Sequence, residues 1–291
     1  MFGRVITAMA TPFDREGALD LERARSLAEY LVANGSDGLV LAGSTGESPT
    51  LSFEEKRDLF GAVTEAVGAR ADVIAGTGTY NTAESIHLST MAAEQGVDGL
   101  LVVTPYYSRP PQSGLLAHFR AVAAATDLPV ILYDIPSRTA RKIEHETLLK
   151  LAEVPNIVGV KDAAGDLAGT ARLVAEKPDD FTIWSGDDAL TLAMLALGAH
   201  GVISVASHLV GPRLQALVEA HTKGDGDLGA GINRELVPLF DVLFITSNPI
   251  PLKAALEMVG RPVGGPRLPL VAATEAEKTK VRAVLEQLGL V

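Results

Sequence analysis

The amino-acid sequence predicts an α/β fold, a (β/α)8 barrel that carries a C-terminal helical appendix. Short apolar runs rich in β-branched residues recur eight times, and each is followed by a longer segment with helical spacing. Several runs are apolar at every position, as in residues 99–103, which is typical of parallel strands buried on both faces. After about residue 222 only helix-like segments remain. These observations favour a parallel barrel followed by helices.

The predicted elements follow one another in strict alternation. The eight predicted strands are residues 5–9, 38–42, 72–75, 99–103, 129–133, 157–160, 181–184 and 201–205. Amphipathic helices are predicted between them, among them residues 21–31, 53–67, 115–125 and 209–220. Ser52, followed by Glu54 and Glu55, is typical of a helix N-cap and first turn. The appendix contains helix-like segments at residues 232–244, 252–259 and 274–288.

Eight βα units can also form a long open sheet wound on both faces. Such a sheet usually carries a glycine-rich dinucleotide turn after its first strand, and residues 7–12 contain no glycine. The barrel is therefore favoured. We expect the catalytic barrel over residues 1–224 and the helical region over residues 225–291.

The amino-acid composition argues against several classes of function. Hydrophobic residues make up 47% and charged residues 21% of the chain, which is typical of a folded enzyme. The net charge of −11 argues against nucleic acid and anionic lipid as partners. There is no cysteine, no membrane-length apolar stretch and no leader-like amino terminus. We expect a cytoplasmic protein without thiolate chemistry.

Barrel active sites form at the carboxyl ends of the strands, and a lysine is found at one of them. Lys161 follows the predicted strand 157–160, and it is the one lysine among nine to end a buried strand. Burial disfavours an ammonium ion and lowers its pKa, as an amine nucleophile requires. The alternatives are a lysine that extends to solvent and a structural ion pair with Asp162.

Two other strand ends carry polar groups. Ser44 and Thr45, between Gly43 and Gly46, offer two hydroxyls on a tight turn that can present N–H groups to a carboxylate; an ordinary βα turn is the alternative. The turn lacks the lysine of a phosphate-binding loop. Tyr133 is suited to proton transfer in a dry site, or simply to core packing.

Loop residues supply further candidates. Arg138 is suited to bind a second carboxylate with its planar guanidinium, although a solvent-facing role is the alternative. Tyr106 and Tyr107 suit a subunit contact or a substrate wall, or buried loop packing. Asp187 and Asp188 argue against a phosphorylated substrate or cofactor, and the histidines lack metal-binding spacing. We expect no cofactor and no metal.

These motifs together resemble the dihydrodipicolinate synthase and N-acetylneuraminate lyase family, and more closely its synthase branch. The stretches that carry the resemblance are residues 43–48, 103–107, 132–139, 159–163, 185–188, 201–205 and, in the appendix, 248–253.

The resemblance implies a role for each candidate. Lys161 would form an imine with pyruvate, Thr45 and nearby backbone groups would hold the pyruvate carboxylate, and Tyr133 would shuttle protons. A relay would also use the hydroxyl of Ser44, where synthases usually carry threonine, and Tyr107 donated by a neighbouring subunit. The implied substrate-binding residues are Thr45, Arg138, Gly186 and Ile203, with Arg138 receiving the carboxylate of aspartate semialdehyde.

The resemblance also implies a cofactor-free condensation of pyruvate with L-aspartate 4-semialdehyde, in diaminopimelate and lysine biosynthesis, by a homotetramer built from dimers. A pyruvate-dependent sugar-acid aldolase of the N-acetylneuraminate or keto-deoxy-gluconate type remains an alternative, as does a catalytically silent metabolite-binding barrel. Phe53, Lys56 and Tyr80 replace the histidines and asparagine of lysine-inhibited relatives. We therefore expect weak or absent feedback inhibition by lysine.

Overall fold

Eight parallel strands close into a barrel in their sequence order, in a computed structural model that describes residues 1–291. The first and last strands pair, with Ile6 beside Ile203, so the open-sheet alternative is excluded. The strands are β1 (Val5–Ala8), β2 (Gly38–Leu41), β3 (Asp72–Gly76), β4 (Gly99–Val103), β5 (Val130–Asp134), β6 (Ile157–Asp162), β7 (Thr182–Ser185) and β8 (Gly201–Ser204). The eight predicted strands are confirmed, with ends shifted by no more than two residues. Lys161 consequently lies within β6 rather than after it.

Nine helices surround the barrel and three more follow it. Those of the barrel are α1 (Leu21–Ala33), α2 (Phe53–Val67), α3 (Thr82–Glu94), α4 (Gln112–Ala123), α5 (Pro136–Thr139), α6 (His145–Ala152), α7 (Leu167–Glu176), α8 (Thr191–Leu197) and α9 (Ser207–Thr222). Those of the appendix are α10 (Gly226–Val242), α11 (Ile250–Met258) and α12 (Glu275–Gln287). The predicted N-cap is confirmed, because the Ser52 hydroxyl accepts from the Glu55 N–H and the Glu55 carboxylate accepts from the Ser52 N–H.

The hydrophobic core forms two layers. The larger, of 61 buried residues, lies between the sheet and the helices. A second cluster of 10 residues fills the barrel interior, so strand side chains are buried on both faces. Phe2 and Trp184 pack at 6.4 Å between ring centroids, and the Trp184 indole donates to the Gly3 carbonyl. These contacts fill the amino-terminal end of the barrel and leave the carboxyl ends of the strands for the site.

The C-terminal region returns to the barrel after α10. Residues Ser247, Asn248, Pro269 and Leu270 line the same cavity as the β2–α2 loop. The appendix therefore contributes to the wall of the site. None of the helices combines the length and apolar character that crossing a bilayer requires.

Candidate active site

A cavity of about 310 Å³ lies at the carboxyl ends of the strands. Loops after β2 and β5 and the C-terminal region supply most of its walls. Its polar lining includes Ser44, Tyr133, Arg138 and Asn248. The cavity thus brings together residues that lie far apart in the sequence, as expected at this end of a barrel.

Lys161 lies next to Tyr133 inside the barrel. The two residues pair in register between β5 and β6, and Lys161 pairs in turn with Trp184 on β7, so the three side chains share one face. The Lys161 amine is 4.4 Å from the centre of the Tyr133 ring, and the side chain is 5% exposed. Burial lowers the pKa of Lys161 to about 8, with Asp188 acting in the opposite direction. Near neutral pH the neutral amine is therefore far more populated than it is in an exposed lysine.

Asp188 is the buried acid that opposes this shift. Its carboxylate accepts hydrogen bonds from the Ser204 hydroxyl at 2.5 Å and from the N–H groups of Val205 and Ala206 at 3.0 Å. Burial raises the pKa of Asp188, while these three hydrogen bonds lower it. The carboxylate is held in place where its charge acts on Lys161. From the sequence, Asp188 was predicted only to disfavour a bound phosphate.

Tyr133 is suited to act as a neutral hydroxyl. Burial raises the pKa of Tyr133 to about 12, and the neighbouring Ser44 hydroxyl and Arg138 guanidinium act in the opposite direction. Ser44 and Arg138 both line the cavity beside Tyr133. The structure therefore groups Ser44, Tyr133, Arg138 and Lys161, four residues that the sequence singled out.

The turn after β2 presents unused hydrogen-bond donors. The N–H groups of Ser44, Thr45 and Gly46 donate to no acceptor within the chain. A side chain at position 46 would be about 3.0 Å from the Ala42 nitrogen, so glycine is required for this close turn. The Thr45 hydroxyl accepts from the Asn248 amide at 2.9 Å, which leaves its own hydrogen to donate. Consecutive free donors of this kind suit a carboxylate.

A buried ion pair fastens this turn to the appendix. The Lys253 amine lies 2.6 Å from Oε1 of Glu47, and both side chains are buried. The other carboxylate oxygen, Oε2, accepts from the Arg267 N–H at 2.8 Å. Lys253 and Asn248 were not predicted as contributors because they follow no strand, and Glu47 was named only as part of the motif 43–48. The signal was the stretch 248–253, which resembled the family but received no role.

Gly186 lies beside Lys161 and Ile203 lies inside the barrel, and neither residue is on the cavity wall. A Cβ atom at Gly186 would come within 3.1 Å of Cγ of Lys161 and 2.8 Å of Cβ of Ala163. Ile203 belongs to the cluster inside the barrel, with Tyr133. Gly186 therefore shapes the space around Lys161, and Ile203 belongs to the packing around Tyr133.

Tyr107 lies apart from the other candidates within a single chain. Its side chain is 91% exposed, and its backbone is left-handed, with φ of 65°. Its neighbour Tyr106 does line the cavity, and packs edge-on against Tyr80 at 5.3 Å. That a neighbouring subunit supplies Tyr107 stays a prediction.

The three residues on which the expectation of weak lysine inhibition rests lie on α2 and in the loop before α3. Phe53 stacks on His87 at 4.4 Å between ring centroids. Burial lowers the pKa of Lys56, and the charge of Glu84 acts in the opposite direction. Tyr80 is half exposed. A buried cation therefore already lies near Glu84.

No group of three or more histidine or acidic side chains is placed to hold a metal ion.

Comparison with known proteins identifies the family to which the chain belongs. The profile of the dihydrodipicolinate synthetase family matches residues 1–288. The chain belongs to this family. A relative in Moorella thermoacetica named 4-hydroxy-tetrahydrodipicolinate synthase is 57% identical over 289 residues, which cover 99% of each chain.

Solved structures of the dihydrodipicolinate synthetase family agree closely with this fold. An enzyme from Cyanidioschyzon merolae, described with lysine bound, is 46% identical, with a TM-score of 0.97 over 100% of this chain and 99% of that one. The Acinetobacter baumannii enzyme, described as chloride-inhibited and complexed with pyruvate, is 35% identical, with a TM-score of 0.97 over 100% of both chains. The predicted family and (β/α)8 fold are confirmed.

Proposed function

We propose that the protein catalyses the reaction for which its relatives are named, the condensation of pyruvate with L-aspartate 4-semialdehyde to 4-hydroxy-tetrahydrodipicolinate. The observation that carries this proposal is a buried amine of lowered pKa, Lys161, placed 4.4 Å from the Tyr133 ring at the carboxyl end of the barrel. Identity of 57% over the whole chain to a synthase of that name supports the same reaction.

Imine formation is the first step in this proposal. The neutral amine of Lys161 attacks C2 of pyruvate, and the carbinolamine loses water to give an imine. The free N–H groups of residues 44–46 and the Thr45 hydroxyl bind the pyruvate carboxylate. Tyr133 donates the proton that makes the leaving oxygen a water molecule, because its raised pKa keeps it protonated.

Carbon–carbon bond formation follows. The Tyr133 oxygen, deprotonated in the first step, takes a proton from C3 and converts the imine to an enamine, and C3 then attacks the aldehyde carbon of aspartate semialdehyde. The resulting alkoxide takes a proton from the relay of Tyr133, Ser44 and Tyr107. Arg138, at the cavity wall, binds the carboxylate of the semialdehyde.

Cyclisation releases the enzyme. The amino group of the former semialdehyde attacks C2 of the imine, and the C2 bond to Lys161 breaks as the amine leaves. The lysine itself withdraws electrons through the imine, so no cofactor takes part in these steps.

The oligomeric state and the cellular location are part of the same proposal. We infer a homotetramer built from dimers, in which Tyr107 reaches the site of a neighbouring subunit; its full exposure in one chain supports this inference. We infer that this biosynthetic condensation of two small metabolites takes place in the cytoplasm.

An assay with two alternative aldehydes tests the reaction. Purified protein receives pyruvate with either aspartate semialdehyde or N-acetylmannosamine, and product is followed by mass spectrometry. We expect turnover with the semialdehyde, because Arg138 offers a carboxylate-binding group. Turnover with the sugar alone would assign the protein to the sugar-acid aldolases.

A further inference from the structure

Asn248 is a cavity residue that the proposed reaction leaves without a role. It lies just before α11, lines the cavity with Ser44, Tyr133 and Arg138, and is 5% exposed. Its amide nitrogen donates to the Thr45 hydroxyl at 2.9 Å, while its Oδ1 is buried and accepts no hydrogen bond. Buried amide oxygens are rarely left unpaired, so a donor from a ligand is the natural partner for this atom.

The segment that carries Asn248 is held firmly. Five residues further along the chain, Lys253 forms the buried ion pair with Glu47, and its amine also donates to the Gly265 carbonyl at 3.1 Å. Asn248 and Lys253 thus contact the same turn, one at Thr45 and the other at Glu47. The unpaired oxygen therefore has a fixed position relative to the groups proposed to bind pyruvate.

The substrates differ in the donors they bring to this oxygen. Pyruvate carries no hydrogen-bond donor, whereas aspartate semialdehyde carries an ammonium group beside its carboxylate. The Glu47 carboxylate is held by the Lys253 ammonium group and by the Arg267 N–H, and Ser44 lies against Tyr133. Among the lining residues, Asn248 offers a buried amide oxygen that no donor of the chain pairs.

We propose that Asn248 is a specificity-determining residue, whose Oδ1 accepts a hydrogen bond from the ammonium group of aspartate semialdehyde while its amide nitrogen orients Thr45. This inference rests on the proposed function. Together with Arg138, it gives the semialdehyde one contact for its carboxylate and a separate contact for its ammonium group. An aldehyde without the amino group keeps the first contact and loses the second.

The test compares two aldehydes on the preformed pyruvate imine. Enzyme loaded with pyruvate is mixed with aspartate semialdehyde or with succinic semialdehyde, which lacks the amino group. Borohydride then traps the imine at timed intervals, and mass spectrometry gives the rate at which the pyruvate adduct disappears. We expect the wild type to react roughly 10- to 100-fold faster with aspartate semialdehyde, the range of a hydrogen bond to a charged group.

Variants assign this preference to Asn248. In Asn248→Ala the ratio of the two rates should fall by about tenfold or more. Loss of the hydrogen bond to Thr45 should slow the reaction with both aldehydes equally, so this effect cancels in the ratio of the two rates. Asn248→Asp keeps an acceptor and should retain the preference. Asn233→Ala, on α10 and away from the cavity, removes another unpaired amide oxygen and serves as the matched control.

The outcomes separate this inference from the proposed function. If pyruvate and aspartate semialdehyde give no product with the wild type, the proposed reaction fails. If product forms but the wild type shows no preference between the two aldehydes, the role of Asn248 is overturned, whether or not the variants fold. An unchanged ratio in folded Asn248→Ala, checked by circular dichroism, overturns it equally.

Discussion

The ionisation of Lys161 depends on two opposing effects at the level of single residues. Burial in the barrel disfavours the ammonium ion, and the fixed carboxylate of Asp188 favours it. Burial is the larger effect, so the pKa of Lys161 falls from 10.5 to about 8. Arg138, whose positive charge also acts on the lysine, lowers this pKa further. The amine is therefore reactive at a pH where an exposed lysine is almost wholly protonated.

The rate of imine formation should follow this pKa. Since only the neutral amine attacks pyruvate, the rate should rise about tenfold per pH unit below the pKa and level off above it. Timed borohydride trapping from roughly pH 6 to 10 measures the profile. We expect a midpoint near 8. A midpoint at the ordinary lysine value of 10.5 would contradict the burial argument.

Asp188 provides a variant for the same measurement. Asp188→Asn removes the negative charge that stabilises the ammonium form, so the midpoint should move to lower pH. Tyr133→Phe is the control variant for this measurement. The pKa of Tyr133 is raised to about 12, so its ionisation lies outside the pH range of the trapping experiment. An upward shift in Asp188→Asn would contradict the assigned charge interaction.

At the level of elements, the β2–α2 loop is held by a region that follows the barrel. Glu47 adopts a left-handed backbone, with φ of 54°, and its carboxylate is enclosed by Lys253 and the Arg267 backbone. Lys253 also lies 4.4 Å from the centre of the Phe13 ring. These contacts join the pyruvate-binding turn to α11.

Breaking this ion pair should be costly. Lys253→Met leaves the Glu47 carboxylate buried and unpaired, so the free energy of unfolding should fall by about 3–5 kcal/mol in urea denaturation. The double variant Glu47→Gln with Lys253→Met should recover part of this loss. Lys223→Met breaks an exposed pair with Glu219, whose charges water already screens, and should therefore cost much less. Equal effects of Lys253→Met and Lys223→Met would contradict a buried, coupled pair.

The packing of α2 against α3 bears on whether L-lysine inhibits the enzyme. Lys56 is buried near Glu84, and Phe53 is stacked on His87. An incoming lysine would meet the amine of Lys56 at a position where the family resemblance leads us to expect a histidine. We expect L-lysine at millimolar concentration to leave most of the activity, measured in a coupled assay. An L-lysine concentration for half-inhibition below about 1 mM would refute this prediction. Such inhibition corresponds to a binding free energy of about −4 kcal/mol or more negative.

The strands were predictable from sequence because burial on both faces leaves continuous apolar runs, as in β4 and β5. Lys161 and Tyr133 were found because they interrupt or end such runs. Asn248 and Lys253 were not assigned a role, because they follow no strand, and no local pattern reveals that the chain returns to the β2–α2 loop. Only the tertiary fold brings them there.

For the whole molecule, Tyr107 points to assembly. It is 91% exposed and held in a left-handed conformation, although the resemblance assigns it to a proton relay. Within one chain it lies outside the cavity that holds Ser44 and Tyr133. A site completed by a neighbouring subunit reconciles these observations. The family resemblance predicts this arrangement, whereas hydrophobic periodicity alone does not, because contacts between subunits leave no periodic pattern in the sequence.

Mixing two inactive variants tests this arrangement. Lys161→Ala and Tyr107→Phe should each have little activity alone. After joint refolding, a mixed dimer contains one site with Lys161 from one chain and Tyr107 from the other, so activity should return to about a quarter of the wild-type value. Sedimentation should show the same assembly for all samples. No recovery would mean that Tyr107 acts within its own chain, or not at all.

The proposed reaction depends above all on Lys161, which carries the pyruvate imine. The most direct measurement is borohydride reduction of the protein in the presence of pyruvate, followed by proteolysis and mass spectrometry of the lysine-containing peptides. We predict one covalent adduct, on Lys161, with the two other buried lysines, Lys56 and Lys253, unmodified. An adduct on another lysine, or no adduct in folded protein, would contradict the account.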